Sequence, residues 1–258
     1  MFKSILCPVD FSDRSRGAAR AARAFARKFQ CEVVVLHVSS DGDPAAIAEA
    51  ERRLGDLITQ ELTDCLVLPC VVTGDPAERI IQFNRDRRVD LVVMATHGTS
   101  PFRKFELGSV ASKVLHLATC PVWTSPHLED WPVVEAMPLR SILCAVDFGP
   151  RSCTALHWAS CLAKESDAKL TLAHVVQPDE REHRFEAPET TLRRQQERLT
   201  GRSEARIVEG IPAPMLRELA EETAADLMVI GRTHASSPGL GANAYAIIAH
   251  SPCPVLSV

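Results

Sequence analysis

The chain has 258 residues, of which 46% are hydrophobic and 24% are charged. This is an ordinary globular composition, and the length suffices for one or two domains with a substantial apolar core. A formal net charge of -4 at pH 7 gives no positive field for polyanions, and no lysine- or arginine-rich run suggests a nucleic-acid-binding arm. We therefore expect no nucleic-acid partner.

The N-terminal segment is apolar, but Asp10 and Asp13 interrupt it before a secretory core could form. No later stretch reaches the roughly 20 apolar residues that cross a bilayer, so we expect a cytoplasmic protein without a membrane span. The nine cysteines form no CxxC pair, and several lie in apolar runs. This pattern favours buried structural thiols over disulfides or a metal site.

The sequence contains one long internal repeat. Ser4–Phe11 returns as Ser141–Phe148 with a single difference, and Cys120–Val122 returns as Cys253–Val255. Units of this length are too long for a solenoid repeat, so they indicate duplicated domains. The repeat predicts a first domain, a second domain and a linker, at residues 1–126, 139–258 and 127–138.

Short runs of Val, Ile and Leu alternate with longer helix-like segments in the first copy. Strands are expected at Ser4–Val9, Glu32–Val38, Leu66–Val72, Asp90–Ala95 and Val122–Thr124. Helices are expected at Ser12–Phe29, Pro44–Leu62, Pro76–Arg87 and Gly108–Leu117, with N-caps at Ser12 and Asp75. Because parallel neighbours need crossover helices, the alternation predicts an α/β domain with a parallel sheet and helices on both faces. Ligands of such sheets bind beyond the carboxyl ends of the strands, at the topological switch point.

A glycine-flanked loop follows the predicted fourth strand. Ala95–Gly98 is followed by nine residues and then by Gly108–Val110, which opens an apolar helical stretch. Free amides and the helix dipole make a helix N-terminus a site for anions, and the two glycines let the backbone approach phosphate oxygens. The Ser109 hydroxyl can cap the helix or donate to a phosphate, and Arg103 and Lys104 add positive charge. The loop therefore predicts a phosphate site.

The spacing of this loop resembles the GxxG, nine residues, G(S/T) signature of ATP-binding universal stress proteins. The Pro-Val-Asp-Phe-Ser that closes the first strand, the Leu-His-Val second strand and the final Cys-Pro-Val look like the same family, and the resemblance extends to both halves. It implies two flavodoxin-like (Rossmann-like) domains, each with five parallel strands in the order 3-2-1-4-5. It also implies an adenine-nucleotide site formed by Pro8, Asp10, Val38, Ala95, His97, Gly98, Gly108, Ser109 and Val110.

Two departures from the signature affect the predicted sites. Ala95 occupies the position of the first glycine, which would lower affinity if that position needs positive φ or very close phosphate approach. In the second copy Gly231 and Gly241 align with the ends of the loop, but the loop is shorter, and His234 and Ala242 replace Gly98 and Ser109. We expect no ATP binding there, although Arg232, Pro238 and Gly239 could frame a different pocket.

The polar residues near the predicted site leave alternatives open. Asp10 can accept from a ribose hydroxyl or an adenine amine, or cap the first helix, whereas a structural role is favoured for Asp147. His97 has no second histidine or paired acid nearby in sequence, and the turn after the first strand lacks the HxGH or SGGxDS elements of related nucleotide-binding enzymes. No catalytic constellation is recognised.

The leading interpretation is a stress-response protein that binds ATP, with or without Mg²⁺, through its first domain. It would act as a sensor or regulator with at most slow hydrolysis. By resemblance, the two domains would pair as an intramolecular pseudo-dimer, and a further homodimer is left open. The alternative is a non-nucleotide interaction scaffold that binds a lipid, a metabolite or a protein.

Overall fold

The chain divides into two units, Met1–Met137 and Pro138–Val258. The computed structural model describes residues 2–98, 107–134, 137, 139–149, 151–177, 187–197, 199, 202–232 and 240–258. No helix in these residues is both long enough and apolar enough to cross a membrane.

The first unit alternates strands and helices from β1 to β5. Its strands are β1 Ser4–Val9, β2 Glu32–Ser39, β3 Val67–Thr73, β4 Leu91–Ala95 and β5 Val122–Ser125. Its helices are α1 Asp13–Phe29, α2 Pro44–Glu61, α3 Pro76–Arg87 and α4 Ser109–Leu117. The strands pair in parallel in the order β3-β2-β1-β4-β5, which confirms the predicted flavodoxin-like order.

The second unit repeats this topology. Its strands are β6 Ser141–Ala145, β7 Lys169–Val176, β8 Ser203–Glu209, β9 Leu227–Ile230 and β10 Val255–Ser257. Its helices are α5 Ser152–Ser166, α6 Pro188–Glu197, α7 Pro212–Glu222 and α8 Ala242–His250. The parallel order β8-β7-β6-β9-β10 is again 3-2-1-4-5 within the unit, so the predicted fold is confirmed in both copies.

The central strands are mostly apolar because helices cover a parallel sheet on both faces. Ile5, Leu6 and Cys7 of β1 are fully buried, as are the matching Ile142, Leu143 and Cys144 of β6. Burial raises the pKa of the Cys7 and Cys144 thiols to about 12. All nine cysteines are free thiols, and Cys153 is exposed.

The predicted helix caps are confirmed in the first unit. The Ser12 hydroxyl accepts from the Ser15 amide at the start of α1, and the Asp75 carboxylate accepts from the Glu78 amide at the start of α3. Each cap satisfies a backbone donor that the helix itself leaves without a partner. Helix α1 begins shortly after the carboxyl end of β1, and helix α3 begins shortly after that of β3.

Part of the predicted linker packs on helix α1. Leu128 is fully buried, and a Cβ added to Gly17 would lie only 1.7 Å from the Leu128 carbonyl oxygen. The Arg20 guanidinium donates to the Trp131 carbonyl oxygen at 2.8 Å, and the Trp131 ring packs edge-on against Trp123 at 5.3 Å. The stretch after β5 thus forms part of the first unit's core.

Candidate functional site

A cavity of about 670 Å³ lies at the carboxyl ends of β1, β2 and β4 in the first unit. This is the switch point of the sheet, because β1 pairs with both β2 and β4. All nine residues that the sequence indicates line it: Pro8, Asp10, Val38, Ala95, His97, Gly98, Gly108, Ser109 and Val110. Loop residues Arg103 and Lys104 lie outside the described residues.

One carboxylate oxygen of Asp10 accepts hydrogen bonds in the turn after β1, and the other lies beside Gly98. Its Oδ1 accepts from the Ser12 amide at 3.0 Å and from the Ser12 hydroxyl. A Cβ added to Gly98 would lie 2.6 Å from Oδ2, so only glycine permits this close approach. The two roles weighed for Asp10 are therefore compatible, since the turn uses Oδ1 and leaves Oδ2 beside Gly98 at the cavity wall.

The two ends of the loop meet at the start of helix α4. The Gly108 amide donates to the Thr96 carbonyl at 2.8 Å, and Gly108 is the N-cap, with no side chain to bond the helix amides. The first amides of a helix have no acceptor within it, so those of Ser109 and Val110 present donors and a positive dipole end at the cavity. An anion fits this arrangement.

Ala95 ends strand β4 without a positive φ. Position 95 therefore does not need glycine for a positive φ. A glycine would be needed there only if a ligand had to approach the backbone very closely. His97 is buried and its Nδ1 lies 2.8 Å from the Thr96 hydroxyl, so the hydroxyl helps to orient its ring.

The side chains of Phe11 and His37 pack against each other at the turn after β1. Phe11 has a left-handed backbone with φ 64°, and its ring lies 4.3 Å from that of His37 and 4.2 Å from the Arg53 guanidinium. His37 Nδ1 lies 2.9 Å from the Val9 carbonyl. Because a carbonyl only accepts, Nδ1 carries the proton there.

The same packing of a phenylalanine against a histidine recurs in the second unit. Phe148 has φ 59° and lies 4.3 Å from His174, whose Nδ1 is 2.7 Å from the Val146 carbonyl. The arrangement persists where the loop signature has been lost. We conclude that the histidine and phenylalanine shape the turn in both units, a pairing that the repeated sequence could have indicated.

Sequence reasoning missed the wall that helix α3 contributes. Pro76 and Ile80, from the first turns of α3, line the cavity together with Leu36 and Met94. The described lining contains no Phe, Tyr or Trp, so its apolar side chains are aliphatic. The lining therefore combines aliphatic side chains with backbone amides and hydroxyls.

The corresponding region of the second unit is built differently. Asp147 Oδ1 accepts from the Gly149 amide at 2.8 Å and from the Ser152 hydroxyl, which is the structural role expected of it. A Cβ added to Gly231 would lie 3.1 Å from the Arg151 Cβ, so the start of α5 packs against the position that matches Ala95. His234, Pro238 and Gly239 lie outside the described residues.

Arg232 and Gly241 adjoin at the start of α8. Arg232 is buried, and its carbonyl oxygen accepts from the Gly241 amide at 3.3 Å. Gly241 is the N-cap of α8, as Gly108 is of α4, but the first helical residue is Ala242, which has no hydroxyl to offer.

The fold and the site define a tandem of doubly wound α/β domains with a ligand-sized cleft at the switch point of the first. The sequence model of the universal stress protein family matches residues 1–126 and 138–258. The chain belongs to the universal stress protein family.

Individual relatives match one repeat each, and a solved structure matches both. A universal stress protein of Methanocaldococcus jannaschii is 31% identical over 138 residues, covering 47% of this chain and 81% of the relative. One of Thermus aquaticus is 32% identical over 133 residues, covering 47% of this chain and 97% of the relative. A solved universal stress protein of Archaeoglobus fulgidus has a TM-score of 0.76 at 24% identity, covering 98% of this chain and 95% of its own. This last likeness concerns the fold alone.

Proposed function

We propose that the first domain binds ATP, with or without Mg²⁺, and that the protein acts in the cytoplasm as a nucleotide-dependent sensor or regulator of a stress response. Hydrolysis would be slow at most. The observation that carries the proposal is that all nine indicated residues line a single cavity of about 670 Å³. Small-molecule sites typically measure about 300 to 1,000 Å³, so a nucleotide matches this volume.

The polar groups of the lining suit the triphosphate. Backbone amides at the start of α4, the Ser109 hydroxyl and the positive end of the helix dipole would stabilise phosphate oxygens. Mg²⁺ usually binds through substrate phosphates and retains several waters, so the nucleotide would supply most of the ligands of such an ion.

Other lining residues suit the nucleoside. Asp10 Oδ2, beside Gly98, would accept a hydrogen bond from a ribose hydroxyl or the adenine amine. Pro8, Val38 and Ile80 would pack on the base without aromatic stacking. The base therefore contributes less to affinity than the phosphates, for which charge-assisted hydrogen bonds are available.

Mass spectrometry of the native, freshly purified protein tests the proposal directly by detecting a co-purifying nucleotide. Isothermal titration with ATP after nucleotide removal gives the affinity. We expect a single ATP site, which Gly108→Val removes and Gly241→Val leaves intact. A folded protein that binds no ATP at millimolar concentration would contradict the proposal and favour the interaction scaffold.

A further inference from the structure

Arg14, in the first turn of α1, joins the loop to the segment that follows β5. Its Nη1 donates to the Gly98 carbonyl oxygen at 3.3 Å, and its Nε donates to Glu129 Oε2 at 3.2 Å. The Arg14 side chain is 22% exposed and that of Glu129 is 38% exposed. One partly buried guanidinium thus contacts both a residue of the cavity wall and an acidic residue outside the cavity.

We propose that Arg14 is a specificity-determining residue of the ligand site, which selects for ligands with more phosphate charge, and that Glu129 weakens this selection by competing for the same guanidinium. The inference rests on the proposed function for the identity of its ligand. It assigns the charge preference to a side chain outside the glycine-rich signature.

The position of Arg14 places its positive charge next to the ligand site, because its guanidinium bonds to the carbonyl of the lining residue Gly98, although Arg14 itself does not line the cavity. Gly98 begins the loop and Gly108 ends it at the helix terminus, and both line the cavity. A polyphosphate bound at the start of α4 would be attracted by this charge, and the attraction grows with the number of phosphate charges. Arginine has five donors in a planar fork that matches phosphate oxygens, and the two bonds described leave further donors for a ligand.

The charge state of Glu129 makes it a competitor. Partial burial opposes its ionisation, but hydrogen bonds from its own backbone amide and from Arg14, with the Arg14 charge, outweigh burial and hold its pKa below the usual range. Glu129 is therefore ionised at neutral pH and partly neutralises Arg14. Neutralising Glu129 should make the guanidinium more available to phosphate.

Arg16 provides a matched control on the same helix. Its Nη1 lies 2.8 Å from Gln60 Oε1 and 3.7 Å from Glu61 Oε1, so its guanidinium faces α2. Arg16 and Arg14 carry the same charge and each pairs with a glutamate. Among the described residues, Arg14 contacts Gly98 and Arg16 does not, so the two variants separate a local contact from a change in net charge.

The test is isothermal titration of ATP, AMP and inorganic tripolyphosphate against the parent chain, Arg14→Gln, Glu129→Gln, the double variant and Arg16→Gln. Thermal unfolding of each variant establishes that it is folded. We expect Arg14→Gln to weaken ATP and tripolyphosphate about tenfold and AMP less than about twofold, as for the loss of one charge-assisted contact. Glu129→Gln should strengthen ATP several-fold only when Arg14 is present, and Arg16→Gln should have no such effect.

Equal weakening of ATP and AMP by Arg14→Gln would overturn the inference, as would an effect of Glu129→Gln that persists without Arg14. If the parent binds tripolyphosphate through Arg14 but does not bind ATP, charge selection stands and the proposed nucleotide function fails. If the parent binds ATP but Arg14→Gln does not change the preference over AMP, only the inference fails. A parent that binds neither ligand contradicts both.

Discussion

Replacing Gly98 by alanine should disturb the turn after β1 and the ligand site together. The new Cβ would lie 2.6 Å from Asp10 Oδ2, so the carboxylate has to rotate. Rotation strains the two hydrogen bonds that Oδ1 accepts from Ser12. At about 1 kcal/mol net for each bond, we expect the free energy of unfolding to fall by about 1 to 2 kcal/mol. ATP affinity should fall too, because Oδ2 leaves the cavity wall.

Urea unfolding and isothermal titration measure the two effects of Gly98→Ala. The decisive comparison is the same substitution in an Asp10→Ala background, where no carboxylate remains to clash and the stability cost should largely disappear. Gly42→Ala is the control, because nothing lies within 4 Å of a Cβ at that position. An equal cost of Gly98→Ala with and without the Asp10 carboxylate would refute this reasoning.

Other perturbations test the site and the core separately. ATP, ADP and AMP should bind with decreasing affinity in titrations, because phosphates contribute more than the base. Gly108→Val should weaken ATP by several kcal/mol, since each charge-assisted contact contributes roughly 1.5 to 3 kcal/mol, whereas Gly241→Val should match the parent. Asp10→Ala should cost roughly 0.5 to 1.5 kcal/mol of ATP binding by the same titration. Because burial raises the pKa of Cys7 to about 12, its thiol stays protonated at pH 8, and peptide mapping after alkylation of the native protein should detect exposed Cys153 and not Cys7.

The strand-helix alternation was sufficient to predict the parallel α/β class because it is a local pattern, the repeat indicated two copies, and the resemblance to universal stress proteins supplied the strand order. Continuous apolar runs such as Ile5-Leu6-Cys7 indicate buried parallel strands, and the strand order that the resemblance implied gives the switch point. The site residues predicted from the loop signature do line one cavity, although their role toward ATP stays a prediction.

The contacts that escaped prediction depend on how separate elements meet. Ile80 enters the cavity wall because α3 starts beside the end of β2, a proximity without any local sequence signal. The bond from Arg14 to the Gly98 carbonyl crosses from the first helix to the loop after the fourth strand. No periodicity or motif predicts the distance between these two groups, because it depends on the side-chain conformation of Arg14 and on the position of α1.

We expect the packing of Leu128 and Trp131 on α1 to limit how short a chain that contains only the first domain can be. A polypeptide ended at residue 126 would lose the fully buried Leu128, leave the notch at Gly17 open to water and remove the ring that covers one edge of Trp123. Burial of one leucine side chain alone contributes about 1.5 to 3 kcal/mol, a large part of the stability of a small domain. A chain ended after Met137 keeps these contacts and also keeps Glu129, which pairs with Arg14. The same short segment would therefore affect both the stability of the isolated domain and the charge next to its ligand site.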